Sequence, residues 1–140
     1  MTHVRIDFEE EFYGELKGEN GSAMIGVEKG TLTPYELFAG ALGSCAYSIF
    51  IDIIEKMRLE YKSCAMDITM EKREEIPTTC KKAMIKVLIT GGDKEKIEKF
   101  REAFKLATEN CSVYYTIALV AEMEWELEFA ECLVSNECDI

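Results

Sequence analysis

The sequence predicts an α+β domain whose helices pack on one face of an antiparallel sheet. Three observations predict it: two segments of strand-like alternation precede the first helical pattern, two more follow it, and a last one ends the series. This order, ββ-α-ββ-α(α)-β, differs from the regular alternation of a doubly wound sheet. The length of 140 residues suits one domain. We assign the domain to residues 1–130 and a C-terminal tail to residues 131–140.

The first two strands are predicted before residue 30. Apolar residues alternate with charged residues over residues 4–8, which is the period of a half-buried strand. Asn20-Gly21 favours a tight turn, since both residues tolerate a positive φ. A second alternating segment, residues 23–27, follows this turn.

A long helix is predicted from Pro34 to about residue 59. Thr33 can cap it, Pro34 fits the first helical position, and Glu36 completes a capping box. Its middle is made of small residues, which allow a close approach by another part of the chain. These small residues are Gly40, Ala41, Gly43, Ser44, Cys45, Ala46 and Ser48.

The second half of the chain predicts three strands and two helices. Residues 64–70 and 83–89 alternate and are joined by a polar link, which indicates a long hairpin. Asp93 can cap a second helix that ends at Glu109-Asn110, and a short helix over residues 112–119 follows Cys111. Residues 121–129 then alternate between apolar residues and glutamates, so we expect a strand with one acidic face.

Composition and charge exclude several classes of function. The formal net charge is −11, which argues against nucleic acid and against an anionic membrane surface as partners. No segment is expected to reach the apolar length of a membrane span. The N-terminus lacks the basic start and apolar run of a signal peptide. We therefore expect a cytoplasmic location.

The six cysteines are the candidate reactive groups. No CxxC pair is present, so neither a thioredoxin-type motif nor a zinc knuckle is indicated. The single histidine, His3, makes chemistry that depends on a histidine base unexpected. We expect neither a metal nor an organic cofactor.

Two cysteine motifs carry a resemblance to a known family. Residues 33–45, TPYELFAGALGSC, closely resemble the first signature of the OsmC/Ohr family, which ends in a cysteine inside a helix. The second signature, a cysteine after the second long helix, is matched by Cys111. Between them, residues 73–77 resemble the hairpin turn of the YhfA-like branch. The resemblance extends over about residues 4–129.

The resemblance implies a fold and a reaction. In the OsmC-like fold two long helices pack on a six-stranded sheet, and an intertwined homodimer completes two sites at its interface. The reaction is thiol-dependent reduction of organic hydroperoxides, with Cys45 as the peroxidatic residue, Cys111 as the resolving residue and Glu36 as the acidic partner. An external dithiol would be the reductant.

Three positions differ from the peroxidase pattern. The family's arginine upstream of the helix has no counterpart, because Arg5 is the only arginine before Pro34. The acid lies at Glu36, one residue later than usual, and Ser112 replaces a common proline. These differences favour the YhfA-like branch. They also leave two alternatives: a dimeric binding protein with an apolar pocket, and a thiol–disulfide exchange protein.

Each candidate residue also has a structural interpretation. Free cysteines are often buried, so Cys45 and Cys111 also fit small apolar positions. Glu36 fits its capping role better than a catalytic one, and Arg5 fits an exposed strand position.

The remaining cysteines are given structural positions. Cys64 is in phase with the apolar side of its strand and is predicted in the core. Cys80 lies in a polar stretch and is predicted at the surface. Cys132 and Cys138 could form an adventitious disulfide in the tail.

Overall fold

The computed structural model describes residues 1–130 and confirms the α+β class. The chain divides into two compact units, Met1–Phe38 and Ala39–Ile140. Within the described residues the strands form two three-stranded sheets, one in each unit, and not a single antiparallel sheet. The prediction of one sheet was therefore wrong, because alternation identifies strands but not which strands pair.

The first unit is an antiparallel sheet in the order β1-β2-β3. Its strands are β1 (Arg5–Phe8), β2 (Tyr13–Lys17) and β3 (Ser22–Gly26). The sequence analysis missed β2, because Gly14 interrupts its alternation and Gly is a poor strand former. All four residues of β1 are exposed, so the half-buried strand predicted there was wrong.

Helix α1 (Pro34–Lys56) begins as predicted. The Thr33 N–H donates to Glu36 Oε1 at 2.9 Å, and the Glu36 N–H donates to Thr33 Oγ1 at 3.2 Å, which confirms the capping box. The helix ends three residues earlier than predicted. Arg58 has a φ of 56°, in the left-handed region, and this conformation cannot continue a right-handed helix.

Helix α1 is apolar as well as long. By length and composition alone it could cross a membrane, so the expectation that no segment reaches this limit was wrong. The core helix of a globular protein has the same composition, and Leu42, Ala46 and Phe50 of α1 are fully buried. This evidence for a membrane span is therefore weak, and the cytoplasmic location stays a prediction.

The sheet of the second unit has the order β4-β5-β6. Strands β4 (Ser63–Lys72) and β5 (Cys80–Thr90) form the predicted antiparallel hairpin, with Ile68 opposite Ile85. Strand β6 (Glu122–Phe129) pairs with β5 in parallel. A parallel neighbour needs a long crossover connection, which the two intervening helices supply.

Helices α2 (Ile97–Asn110) and α3 (Ser112–Ala118) form this crossover. A short 3-10 helix, Lys94–Lys96, precedes α2, and Asp93 caps this helix. The N-cap residue of α2 itself is Lys96, so the prediction that Asp93 caps the second long helix was wrong. Arg101 of α2 holds the helix to β6: its Nε donates to the Leu127 carbonyl at 3.0 Å, and its guanidinium lies 2.9 Å from Glu128. The largest fully buried side chains are Phe50, Phe100, Phe104, Leu42, Ile85, Ile89, Leu127 and Cys111.

Candidate thiol site

Cys45 lies in the middle of α1, with its side chain half-buried. The buried residues Leu42 and Ala46 flank it on the helix and anchor this turn in the core. The hydroxyl of Ser48 donates to the Cys45 carbonyl at 2.7 Å. The backbone is therefore held in place at a residue that is only half-buried.

Cys111 is the N-cap residue of α3. Its backbone is extended, with φ −88° and ψ 116°, and its Sγ accepts a hydrogen bond from the Tyr114 N–H at 3.4 Å. The Tyr115 N–H donates to the Cys111 carbonyl at 2.9 Å. The predicted position of Cys111 at a helix start is confirmed. The residue is only 1 % exposed.

The structure brings these two cysteines together. Both are free thiols, and each lies close enough to the other to influence its pKa. They come from α1 and from the start of α3, and their residue numbers, 45 and 111, differ by 66. Tertiary packing therefore creates the pair.

The surroundings shift the two thiols in opposite directions. Burial raises the pKa of Cys45, but hydrogen bonds from the thiol of Cys111, the Val113 N–H and the hydroxyl and N–H of Ser112 outweigh it, so the pKa is lowered. Burial raises the pKa of Cys111, and its position beside the Cys45 sulfur raises it further. Cys45 is thus the more acidic thiol of the pair and Cys111 the less acidic one.

A third thiol, Cys64, lies in a different setting. It lines an open groove of about 360 Å³ between α1 and β4, and it is half-buried, so its predicted core position was wrong. Burial raises the pKa of Cys64 to about 11. The groove is lined by Gly40, Gly43, Ser44, Tyr47, Cys64, Met66 and Ile68.

The glycines of α1 shape this groove. A Cβ on Gly43 would collide with the Cδ1 of Ile68, whereas one on Gly40 would meet nothing within 4 Å. The close approach predicted from the small residues of α1 thus occurs at Gly43. Beside the groove the hydroxyls of Tyr47 and Tyr61 share a 2.5 Å hydrogen bond, and burial raises the pKa of Tyr61. The sequence analysis did not single out Tyr61.

Comparison with known proteins decides the family. The model of the OsmC-like protein family matches residues 27–126. The chain belongs to the OsmC-like family. This confirms the resemblance, while membership of the YhfA-like branch stays a prediction. Among curated proteins no match was found.

Solved structures share the fold of this OsmC-like chain. A hypothetical protein from Aquifex aeolicus VF5 is 28 % identical, with a TM-score of 0.78 over 94 % of this chain and 98 % of that one. An OsmC-like protein from Vibrio cholerae is 16 % identical, with a TM-score of 0.77 over 91 % and 99 %. The organic hydroperoxide resistance protein OhrB of Bacillus subtilis is 17 % identical, with a TM-score of 0.65 over 91 % and 98 %.

Two other predicted site residues of the OsmC-like chain have partners inside the Met1–Phe38 unit. The N–H and hydroxyl of Thr33 lower the pKa of Glu36 by hydrogen bonding within the capping box. The Nε of Arg5 donates to Asp7 Oδ1 at 3.0 Å. These bonds give both side chains a structural role, so a catalytic role for Glu36 stays a prediction.

Cys80 differs from its prediction. It is the first residue of β5 and only 6 % exposed, because the strand begins earlier than the alternation indicated. Burial raises its pKa. Cys132, Cys138 and the tail over residues 131–140 lie outside the described residues.

The OsmC-like site contains a group whose part the sequence analysis missed. Ser112 was noted only for replacing a proline, yet it helps to lower the pKa of Cys45. Its position next to Cys111 in the sequence was the signal that could have identified it as part of the site. Within residues 1–130 no cluster of three His, Cys, Asp or Glu side chains could hold a metal. Two neighbouring thiols such as Cys45 and Cys111 can be oxidised to a disulfide and reduced again by thiol–disulfide exchange.

Proposed function

We propose that this chain is a thiol-dependent oxidoreductase that reduces organic hydroperoxides through Cys45 and Cys111. One observation carries the proposal: a half-buried thiol with a lowered pKa lies beside a buried thiol with a raised pKa. Cys45, as the more acidic thiol, can attack a hydroperoxide as a thiolate, while Cys111 stays protonated until it reacts with oxidised Cys45. Structural neighbours described as organic hydroperoxide resistance proteins support the choice of substrate class.

The first step would consume the hydroperoxide. The Cys45 thiolate attacks the terminal oxygen of ROOH, an S–O bond forms, and the O–O bond breaks. The alkoxide leaves and takes up a proton as the alcohol ROH. Cys45 is oxidised to a sulfenic acid, and the hydroperoxide is reduced by two electrons.

The second step would use Cys111. Its sulfur attacks the Cys45 sulfenic acid, an S–S bond forms, and the sulfenic oxygen leaves as water with the Cys111 proton. The buried position of Cys111 protects it from direct oxidation until then. An external dithiol restores both thiols by exchange and becomes a disulfide itself.

The reaction can be followed on the purified, reduced full chain. One equivalent of tert-butyl hydroperoxide is added, free thiols are titrated with time, and mass spectrometry locates any disulfide. We expect a fast loss of two thiols per chain and a cross-link between the Cys45 and Cys111 peptides. Slow oxidation spread over several cysteines, Cys132 and Cys138 included, would contradict the proposal.

A homodimer is part of this proposal. Three apolar side chains at the end of α3 are exposed: Tyr115 by 65 %, Leu119 by 71 % and Val120 by 66 %. Adjacent apolar residues on a surface are typical of a covered interface. Light scattering on a sizing column should give twice the mass of one chain, and Leu119→Glu should shift the protein to monomer. A wild-type monomer would contradict it.

A second candidate function is binding of an apolar ligand without peroxide chemistry. The open groove beside Cys64 favours it, because its volume of about 360 Å³ lies at the lower end of the range of small-molecule sites and most of its lining is apolar. Iodoacetamide at pH 7 separates the two functions. One rapidly alkylated cysteine supports the oxidoreductase, and uniformly slow thiols support the binding protein.

A further inference from the structure

The open groove between α1 and β4 is separate from the thiol pair. Its wall on α1 is formed by Gly40, Gly43, Ser44 and Tyr47, which follow the i, i+3, i+4, i+7 spacing of one helix face. Cys45 is two residues from both Gly43 and Tyr47, and two residues turn an α-helix by about 200°. Cys45 thus lies on the opposite side of α1 and does not line the groove.

We infer that this groove binds a neutral, mainly aliphatic carbonyl compound, such as a fatty ester, whose carbonyl oxygen accepts a hydrogen bond from the Tyr47 hydroxyl. The inference rests on the second candidate function, because it names a ligand for the same groove. It stands whether or not Cys45 reduces a hydroperoxide. It adds the chemical class of the ligand and the donor that orients it.

The polar end of the groove is a pair of tyrosine hydroxyls. Tyr47 and Tyr61 share one hydrogen bond of 2.5 Å, in which either oxygen can be the donor. Burial raises the pKa of Tyr61, so this hydroxyl keeps its proton and can donate it to Tyr47. Two hydroxyls that share one bond have one proton left over, and Tyr47 is the member of the pair that lines the groove. Its proton is then available to a carbonyl oxygen.

Aromatic packing holds both hydroxyls in position. The Tyr61 ring meets Phe100 edge to face, with 6.3 Å between the ring centroids. The Tyr47 ring packs against Phe50 at the same centroid distance. Phe50 and Phe100 are fully buried, so they fix the two tyrosine rings to the core. A donor that is already fixed loses little conformational entropy when a ligand binds.

The rest of the groove suits an uncharged aliphatic chain. Met66 and Ile68 of β4 line it, and a Cβ on Gly40 would meet nothing within 4 Å, so this part of the groove is open. Among the described residues that line the groove none is charged, so an ionised head group would lack a counter-ion there. Burial raises the pKa of Cys64, which shows that this environment disfavours an anion. A neutral carbonyl is therefore favoured over a carboxylate.

The test uses methyl octanoate as the probe, with octanoate at pH 8 as the matched control that carries a charge in place of the ester. Alkylation of Cys64 by N-ethylmaleimide is followed by peptide mass spectrometry on the reduced full chain, with Cys80 as the internal reference. We expect methyl octanoate to slow the alkylation of Cys64 in a saturable way. Octanoate should have no effect at the same concentrations, and Cys80 should not change.

Two variants locate the probe in the groove. Tyr47→Phe keeps the ring, so the concentration of methyl octanoate that halves the Cys64 rate should rise about fivefold, as expected for the loss of one hydrogen bond. Gly40→Leu fills the open part of the groove with a good helix former, so the Cys64 rate should no longer depend on the probe. Tyr13→Phe, at an exposed tyrosine of the Met1–Phe38 unit, is the control and should match wild type.

The inference is overturned if methyl octanoate does not slow the alkylation of Cys64, or if Gly40→Leu keeps the protection. Equal protection by octanoate would overturn the ligand class while leaving a binding groove. Circular dichroism checks the fold of each variant, and Gly40→Leu supplies the answer if Tyr47→Phe is unfolded.

Two further measurements separate this inference from the other proposals. A Cys64 rate that changes with protein concentration and not with the probe would overturn the inference and assign the groove to an interface with a second copy of the chain. Turnover of tert-butyl hydroperoxide is measured in parallel. Protection without turnover would defeat the oxidoreductase and support the groove assignment, and turnover without protection would do the reverse.

Discussion

Cys45 and Cys64 are the same chemical group in two regions that share α1. Cys45 meets several hydrogen-bond donors, and its pKa is lowered although burial acts against it. Cys64 lines the groove on another face of the helix, where burial acts alone and raises its pKa to about 11. Burial alone thus raises the pKa of a thiol and lowers the share of reactive thiolate. Donors aimed at the sulfur decide which cysteine can act as a nucleophile.

The largest expected effect comes from replacing Cys45, the thiol with the lowered pKa. Cys45→Ser should lower hydroperoxide turnover by about 1,000-fold or more, because the nucleophile itself is removed. The matched control is Cys80→Ala, which removes a buried thiol with a raised pKa. Turnover is measured as loss of tert-butyl hydroperoxide in the presence of a dithiol. Equal activity in the two variants would remove Cys45 from the mechanism.

The two thiols can also be compared directly in the wild type. At pH 7 a thiol with a pKa of about 11 is ionised in roughly one molecule in 10,000. An ordinary thiol is ionised in about 3 % of molecules, so Cys45 should react with iodoacetamide at least ~300-fold faster than Cys64. Peptide mass spectrometry after short exposures gives both rates. Similar rates would mean that the donors around Cys45 do not act on it in solution.

The fit of α1 against β4 can be tested with two glycines. Gly43→Ala should lower the free energy of unfolding by at most about 1 kcal/mol, because its Cβ displaces only the terminal Cδ1 of the Ile68 side chain. Gly40→Ala is the control: its Cβ meets nothing, and the helix gains roughly 0.5–1 kcal/mol. Urea denaturation measures both. Effects of the same sign would show that the close approach at Gly43 is not required.

The smallest expected effect concerns a carboxylate, Glu36, whose pKa is also lowered by hydrogen-bond donors. Hydrogen bonds from Thr33 lower the pKa of Glu36. A lowered pKa in the folded state stabilises the fold above the pKa of the unfolded chain, and this stabilisation is lost as the pH falls through the folded-state pKa. Glu36→Gln should therefore differ from wild type most near pH 7 and least at low pH. Urea denaturation at several pH values measures this, and a constant difference would contradict it.

Local sequence signals predicted the parts of the fold that local chemistry determines. Thr33 and Glu36 predicted the start of α1, because a capping box is formed within four consecutive residues. The alternation of β6 predicted a strand with an acidic face. Strand β2 was missed because Gly14 weakens its pattern, and the parallel pairing of β6 depends on the path of the crossover, which no window of residues contains.

The sequence predicted the two cysteine motifs of the site but not the contacts between them. Cys45 and Cys111 were identified by family resemblance, and the start of α3 at Cys111 followed from the local pattern. Their proximity, and the influence of Ser112 and Val113 on the pKa of Cys45, arise between segments far apart in the chain. The predicted burial of Cys64 and of Cys80 was wrong for a similar reason, because the exposure of a strand residue depends on which element covers the strand.

The separation of the two cysteines along the chain also links redox state to folding. A bond between residues 45 and 111 closes a loop of about 67 residues, which lowers the conformational entropy of the unfolded chain and, in the chain-entropy account, stabilises the oxidised protein by about 4 kcal/mol. The oxidised form should then melt at a higher temperature than the reduced form. In the proposed reaction the dithiol returns the protein to this more easily unfolded form, so calorimetry of the two forms would report the redox state of the pair.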